Sequence, residues 1–338
     1  MAASATTAER SVRVLTRDIL ALVLADFPFT SPCTVSNDLE ARVHIGPAGW
    51  SYPDWDGVFY PDVHTRGFDA LAYAASYFTL IEINSTFYRV PAPHVVRRWA
   101  ERVRGIESFV FTLKAHQALT HRAAAETPDE LAPLRRAIEP LADAGRLGAV
   151  LLQFPWSFRY SPAARLHVER RLADLHPFPV ALEVRHGSWE STEAVSFLDA
   201  LDVTVCGIDQ PVIGESLHPY RYRTGGAGAY FRLHGRNYRE WFAPEAGRDA
   251  RYDYLYSPAE LSPWADVIRR AAGEASRVFV VLNNHFRGKA PANAFEMASM
   301  LFGRRVNAPA RLRRAYPQIE PATTADLEPG SERTLFDT

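Results

Sequence analysis

The sequence predicts an α/β protein in which eight parallel strands close into a single (β/α)8 barrel of the TIM type. Short apolar runs alternate with longer segments of helical period, there are eight such runs, and the length suits one barrel domain. The chain has 338 residues, of which 47% are hydrophobic, so it can form a large core. A doubly wound open sheet is the alternative, but no GxGxxG turn follows the first apolar run.

The predicted strands are mostly bounded by Gly, Pro, Ser or Asn, as strand ends usually are. They span residues 43–46, 80–84, 108–114, 148–154, 180–185, 203–209, 229–234 and 277–284. Helical patterns between them cover residues 93–104, 127–143, 191–201 and 291–302, and two more open at the Ser-Pro pairs 161–162 and 257–258.

The barrel is expected to span residues 42–306, with an additional segment at each end. Residues 1–41 form an N-terminal extension in which Leu15, Ile19 and Leu22 have the spacing of one amphipathic helix. A secretory signal is the alternative interpretation. The C-terminal tail, residues 307–338, is polar and rich in Pro, Glu and Thr, and we expect it to be disordered.

Charge and cysteine content narrow the class of protein. The net charge is -1, whereas a domain that grips a long nucleic acid is usually basic. The two cysteines, Cys33 and Cys206, lie far apart in the sequence and do not form a disulfide framework. This low cysteine content fits a reducing compartment. Because no apolar run reaches the length of a membrane helix, we expect no membrane partner. We also expect the protein to be cytoplasmic and monomeric.

Charged side chains interrupt the apolar strand at residues 180–185. Glu183 and Arg185 are two residues apart, so they share one face of this strand. A buried charge needs a partner or a ligand. This strand therefore directs an acid and a base toward something specific inside the barrel.

Most other strands also end in polar residues, which would meet at the C-terminal mouth of a barrel. The catalytic candidates are Glu82, Lys114, Glu183, Asp209 and His234. The ligand-binding candidates are Trp50, Tyr52, Asn84, Tyr88, His116, Gln153, Arg185, His186, Trp189, Arg232, Arg236, Asn283, Asn284 and His285. An internal salt-bridge network without a ligand is the structural alternative, but burying so many ions costs several kcal/mol each.

The balance of charges favours an anionic ligand over a metal cluster. Lys114, Arg185 and Arg232 suit a phosphate or carboxylate, while three cations oppose a multi-metal centre. We predict no cofactor, with a single divalent metal held by Glu82, Asp209 and a histidine as the alternative. Lys114 is interpreted as an ion-pair partner of one of the acids, and a Schiff-base lysine is the alternative.

Several motifs together resemble the YecE-like family, also called domain of unknown function 72. They are IGPAGWSYPDW at 45–55, FYP at 59–61, EINSTFYR at 82–89, Lys114 with Thr120 and His121, LLQFP at 151–155, EVRHGSW at 183–189, RLHGR at 232–236 and NNH at 283–285. The resemblance covers about residues 42–304 and implies a TIM-type barrel. It implies no reaction.

The favoured function is an enzyme, a hydrolase or lyase acting on a phosphate-bearing or nucleic-acid-derived ligand. The three cations would hold the anion, and Glu82, Glu183 or Asp209 would transfer protons. A non-catalytic nucleic-acid-binding protein is the first alternative, based on the Arg- and Trp-rich loops. A carbohydrate-active barrel is the second, because aromatic platforms and paired carboxylates occur together.

Overall fold

The structure is a computed structural model that describes residues 37–61, 67–122, 129–241 and 250–326. The strands are Val43–Pro47 (β1), Leu80–Ile83 (β2), Val110–Lys114 (β3), Leu147–Gln153 (β4), Val180–Glu183 (β5), Thr204–Val205 (β6), Gly207–Asp209 (β7), Ala229–Leu233 (β8), Val278–Leu282 (β9), Val306–Pro309 (β10) and Thr323–Asp326 (β11). The helices are Asn37–Arg42 (α1), Ala70–Ala75 (α2), Pro93–Arg102 (α3), Leu131–Asp143 (α4), Pro162–Leu175 (α5), Thr192–Ala200 (α6), Pro258–Glu274 (α7), Lys289–Phe302 (α8) and Ala310–Ala315 (α9).

All paired strands are parallel. The two larger sheets have the orders β2-β3-β4-β5-β6 and β1-β9-β8-β7, and β10 and β11 form a third sheet. A parallel bridge joins Ala48 to Glu82, and the Gly49 amide donates to the Glu82 carbonyl at 2.8 Å. Between β6 and β7 lies only Cys206, whose amide donates to the Leu182 carbonyl at 2.9 Å. The predicted strand 203–209 is therefore two short strands, one in each sheet.

A glycine in β1 permits the close approach of β1 to β2. A Cβ atom on Gly46 would lie 1.7 Å from the Leu80 carbonyl oxygen. No side chain can occupy that space without moving the backbone of one strand.

Helix starts follow the capping signals in the sequence. The hydroxyl of Ser161 accepts a hydrogen bond from the Ala164 amide, and Ser191 does the same for Ala194. Ser257 and Glu260 form a capping box at the start of α7. The helix predicted from residue 127 is described from Leu131, and residues 123–128 lie outside the described part.

The structure corrects the expected disorder after residue 307. Strands β10 and β11 pair in parallel, and α9 and a 3-10 helix at Pro317–Ala322 connect them. Leu312 and Ile319 are fully buried in the same core cluster as the barrel strands. These two apolar side chains order the segment through residue 326 despite its polar composition. Residues 327–338 lie outside the described part.

Most of the N-terminal extension lies outside the described residues, including the helix expected around Leu15–Leu22 and Cys33. The described part of the chain contains no helix long and apolar enough to cross a membrane. The α1 helix leads directly into β1.

Candidate functional site

A cavity of about 300 Å³ opens beside the carboxyl ends of the strands. We call it the central cavity; its lining residues are Gly49, Trp50, Ser51, Tyr52, Asn84, Ser85, Phe87, Tyr88, Lys114, Gln153, Arg185, Arg232, Tyr252, Asn283 and His285. Lys114 and Gln153 are the last residues of β3 and β4, and Asn84 and Asn283 follow β2 and β9 closely. Parallel strands therefore bring residues from distant parts of the sequence to one place.

Ten of the predicted site residues line the central cavity. They are Trp50, Tyr52, Asn84, Tyr88, Lys114, Gln153, Arg185, Arg232, Asn283 and His285. Glu82, Glu183 and His234 do not line it, but they are fully buried and contact Arg232 or Arg185, which do.

Arg232 joins two buried carboxylates. Its Nε and Nη2 atoms donate to Glu82 at 3.0 Å and 2.6 Å, and its Nη1 atom donates to Glu183 at 2.5 Å. The Tyr230 hydroxyl donates to the same Glu82 carboxylate at 2.7 Å. Both carboxylates are thereby compensated by charge-assisted hydrogen bonds, as buried charges require.

Arg185 completes a row of alternating charges, Glu82, Arg232, Glu183 and Arg185, which we call the ion-pair chain. Arg185 Nε donates to Glu183 Oε1 at 2.7 Å, and Arg185 Nη2 forms an ion pair with the same oxygen at 2.6 Å. Burial raises the pKa of Glu183, but the charges of Arg232 and Arg185 outweigh burial and hold it well below the usual value. Glu183 thus stays ionised and is a poor proton acceptor at neutral pH.

His234 is a neutral side chain beneath the cavity. Asn283 donates to its Nδ1 atom at 2.9 Å, and its Nε2 atom lies 3.5 Å from Glu183. Burial lowers the pKa of His234 to about 3, and the attraction of Glu183 does not restore it. A histidine with this pKa is not a proton donor at neutral pH.

Lys114 differs from the two arginines because it has no acidic partner among the residues that the structure describes. Within the described residues, no carboxylate lies within ion-pair distance of its Nζ atom, which sits 3.8 Å from the centre of the Phe87 ring. The expectation that Lys114 pairs with an acid is therefore wrong, because Arg232 and Arg185 bind both glutamates. Burial, followed by the charge of Arg232, lowers the pKa of Lys114 to about 7.

Aromatic rings form one wall of the cavity. The His285 ring stacks on Tyr52 with ring centroids 4.6 Å apart, and its centroid lies 5.1 Å from that of Tyr252. Trp50 contacts Trp99 edge to face at 5.2 Å, which fixes its orientation. Tyr88 is 63% exposed and lies at the rim.

Asp209 and Arg236 belong to a different contact set. Asp209 accepts hydrogen bonds from Arg236 Nη2 at 2.8 Å, the Tyr256 hydroxyl at 2.5 Å and Trp264 Nε1 at 3.1 Å. With three residues donating to one buried carboxylate, this cluster holds the loop after β8 against α7. The structure does not bring Asp209 to the central cavity, and we correct the grouping of these residues with the site.

Four further candidates contribute local contacts instead of lining the cavity. His116 and His186 each accept a backbone hydrogen bond two residues ahead, from Ala118 and Ser188. Trp189 donates from Nε1 to the Phe158 carbonyl at 2.8 Å, and Asn284 donates to the Tyr254 carbonyl at 2.8 Å. Each contact shapes a loop around the cavity.

The alternative metal site is not assembled. Glu82 is occupied by Arg232 and Asp209 lies in the other contact set. In the described ranges, no group of three or more His, Cys, Asp or Glu side chains is arranged to hold a metal ion.

Sequence reasoning missed four residues of the cavity wall. They are Gly49, Ser51, Ser85 and Tyr252. Phe87, which follows β2 after three residues, was expected among the aromatic residues around the mouth, and it does line the cavity. Tyr252 lies in the long loop after β8, and no periodic pattern indicates where such a loop folds.

Comparison with known proteins identifies relatives over most of the chain. The family described as "Protein of unknown function DUF72" matches residues 44–317. The UPF0759 protein YunF of Bacillus subtilis (strain 168) is 28% identical over 272 residues, 77% of this chain and 94% of YunF. The UPF0759 protein YecE of Escherichia coli (strain K12) is 32% identical over 148 residues, 43% of this chain and 48% of YecE.

Solved structures agree with these sequence matches. A DUF72 family protein of Thermotoga maritima MSB8 has a TM-score of 0.66 and 32% identity, covering 77% of this chain and 99% of its own. One from Enterococcus faecalis V583 has a TM-score of 0.67 and 24% identity, covering 77% and 95%. None of these descriptions gives a ligand or a reaction.

Proposed function

This chain belongs to the YecE-like DUF72 family, and from the geometry of its cavity we propose that it is an enzyme, a hydrolase or lyase, acting on a small anionic ligand. The supporting observation is the free amine of Lys114 in the central cavity beside Arg185 and Arg232. Because both neighbouring glutamates are held by arginines, the positive charge of Lys114 is left for a ligand.

The proposal includes a closed eight-stranded barrel of the TIM type. The Ala48–Glu82 bridge supports one closure between the sheets, and the single-residue step from β6 to β7 supports the other. In this arrangement the central cavity is the C-terminal mouth, where barrels of this type carry out their chemistry. We also propose that the protein acts as a cytoplasmic monomer.

Proton transfer in the proposed reaction is assigned to Lys114. Glu82 and Glu183 are fully buried and bound to Arg232, so neither reaches the cavity. A lysine whose pKa is about 7 can donate or accept a proton near neutral pH, which suits general acid–base catalysis. Arg185 retains Nη1 for a ligand, since in the described chain its contacts with Glu183 use Nε and Nη2.

The carbohydrate-active alternative is less well supported. Glycoside hydrolysis needs two carboxyl groups that flank the sugar bond. Here a single guanidinium, that of Arg232, binds both Glu82 and Glu183 below the cavity surface. The aromatic wall remains compatible with a sugar or with any flat ring.

The nucleic-acid-binding alternative loses part of its basis as well. Arg236 is committed to Asp209, and Trp241 is buried against the His234 ring at 6.2 Å. These are two of the side chains on which the loop-based interpretation depends. Binding of a long nucleic acid would fall steeply with salt, which separates this function from the proposed one.

Calorimetric titration with inorganic sulfate tests the proposed site, because the charge of sulfate is constant between pH 6 and pH 8. We expect Lys114→Met and Arg185→Met each to weaken sulfate binding about tenfold, or about 1.4 kcal/mol. Wild-type binding should weaken from pH 6 to pH 8 as Lys114 loses its charge. Arg136→Met, which removes an exposed positive charge on α4, is the control. Unchanged binding in both cavity variants contradicts the proposal.

A further inference from the structure

Lysine is rare in this protein. The sequence has two lysines, Lys114 and Lys289, among 38 lysine and arginine residues. An arginine guanidinium stays protonated in proteins, whereas a lysine amine can lose its proton and then act as a nucleophile. One of the two amines lies in the central cavity, and the other forms an ion pair with Asp253.

The surroundings of Lys114 favour the neutral amine. Its Nζ atom lies on the apolar face of Phe87 and is repelled by the positive charges of Arg232 and Arg185. Desolvation and neighbouring cations are the two features that activate nucleophilic lysines. An amine whose pKa is about 7 is roughly half neutral at pH 7, whereas only about four in ten thousand ordinary lysine amines are neutral at that pH.

We propose that Lys114 forms a Schiff base with a small carbonyl compound that carries a carboxylate or phosphate group. This inference rests on the proposed function, because the anionic group of the same ligand would bind Arg185. Within the described chain, Arg185 Nη1 has no hydrogen-bond partner, while Nε and Nη2 are held by Glu183. The ion-pair chain thus fixes the guanidinium and leaves one donor for the ligand.

The reaction is balanced without an oxidant or a reductant. The lone pair of Lys114 Nζ attacks the carbonyl carbon, the C=O electron pair moves to oxygen, and a proton passes from nitrogen to that oxygen. A proton from solvent is added to the resulting hydroxyl, which leaves as water while the nitrogen forms the C=N bond and keeps its remaining hydrogen. The protonated imine withdraws electrons from the adjacent carbon, which is the chemistry of a lyase.

Reductive trapping of the full-length protein tests this inference. Pyruvate and glyceraldehyde 3-phosphate serve as the carboxylate and phosphate probes, with sodium borohydride as the reductant. In wild type and in the control Lys289→Arg, the peptide that contains Lys114 should gain the mass of one probe molecule minus the mass of one oxygen atom. Lys114→Arg, which keeps the charge but lacks the amine, should not. The probe that reacts identifies which anionic group the site accepts.

Formaldehyde with cyanoborohydride measures the amine itself, without a requirement for an anionic group. At pH 7 we expect Lys114 to be methylated about tenfold faster than Lys289 in the same wild-type molecule, because far more of its amine is neutral. Sulfate should slow methylation of Lys114 and not of Lys289. This readout needs no variant, so it holds even if Lys114→Arg fails to fold.

Two results overturn the Schiff-base inference. One is methylation of Lys114 no faster than that of Lys289, and the other is the absence of an adduct with both anionic probes. Suppose that one of these two results is obtained. If wild type and Lys114→Arg nevertheless bind sulfate and Arg185→Met does not, only the Schiff-base inference has failed and the proposed anion site stands. If sulfate binding is also independent of Arg185, the proposed function has failed with it.

Discussion

The guanidinium of Arg232 holds Glu82 through two hydrogen bonds, from Nε to Oε2 at 3.0 Å and from Nη2 to Oε1 at 2.6 Å. The two residues are 150 positions apart in the sequence and are both almost completely buried. Such a bidentate contact also fixes the orientation of the guanidinium. It therefore positions the third nitrogen, Nη1, for Glu183 and forms the floor of the cavity.

Removing Arg232 should destabilise the fold strongly. Arg232→Met leaves Glu82 buried without a cation and Glu183 with Arg185 alone, and we expect a loss of about 3–5 kcal/mol in the free energy of unfolding. Tyr230→Phe, which removes one hydrogen bond to Glu82, should cost about 1–2 kcal/mol. Urea denaturation of the two variants measures both values. An equal loss of stability in the two variants would show that the ion pairs of Arg232 contribute no more than one hydrogen bond to the stability of the fold.

Replacing Lys114 should stabilise the protein. The folded state favours the neutral amine, since burial lowers the pKa of Lys114 from 10.5 to about 7. The cost of this shift is present in full below pH 7 and is relieved as the pH rises from 7 toward 10.5. Lys114→Met should therefore raise the free energy of unfolding by roughly 2–4 kcal/mol at pH 6.

The gain from Lys114→Met should shrink between pH 7 and pH 10, which thermal unfolding across this range can measure. Lys289→Met removes the ion pair with Asp253 and should lower stability instead. A gain that is the same at pH 6 and pH 10 would mean that the charge of Lys114 carries no cost.

Glu296 should destabilise the protein above neutral pH. Burial raises the pKa of this carboxyl to about 7, although Asn293 and Gln318 donate hydrogen bonds to it. The folded state thus retains a proton that the unfolded state loses above pH 4.5, and stability falls as the pH rises from 4.5 to 7. Glu296→Gln should gain about 2–3 kcal/mol over wild type at pH 8 and little at pH 4.

Urea denaturation of wild type and Glu296→Gln at the two pH values measures this difference. Glu320→Gln, at an exposed position in the same C-terminal segment, is the control and should change little at either pH. An equal effect of Glu296→Gln at both pH values would contradict the raised pKa.

Gly46 should not tolerate a side chain. The Cβ of Gly46→Ala would lie 1.7 Å from the Leu80 carbonyl oxygen, so β1 and β2 would have to separate. We expect a loss of more than about 3 kcal/mol, or failure to fold. Gly273→Ala is the matched control, because the residue is in α7 and no atom beyond its chain neighbours and its own helix backbone lies within 4 Å of that Cβ. It should stabilise the protein by about 0.5–1 kcal/mol, and thermal unfolding compares the two.

The sequence alone determined the parallel α/β elements and most of the cavity wall. Strands such as Leu147–Gln153 are apolar on both faces, which indicates a parallel sheet that is covered on both sides. The carboxyl ends of parallel strands lie at the same edge of the sheet, so polar residues at these ends come together there. Lys114, Gln153 and Arg185 could therefore be assigned to the cavity from their positions at or just after the ends of strands. The tail to residue 326 could not be assigned, since two buried side chains, Leu312 and Ile319, order it.

Only the tertiary structure decided which charges pair. Glu82, Glu183 and Asp209 look equivalent in the sequence, and so do Lys114, Arg232 and Arg236. Pairing depends on distances of a few ångströms between side chains that are up to 150 residues apart, and local patterns do not encode these distances. Arg232 reached both glutamates, Arg236 reached Asp209, and Lys114 was left on Phe87 with its amine free of any carboxylate in the described chain.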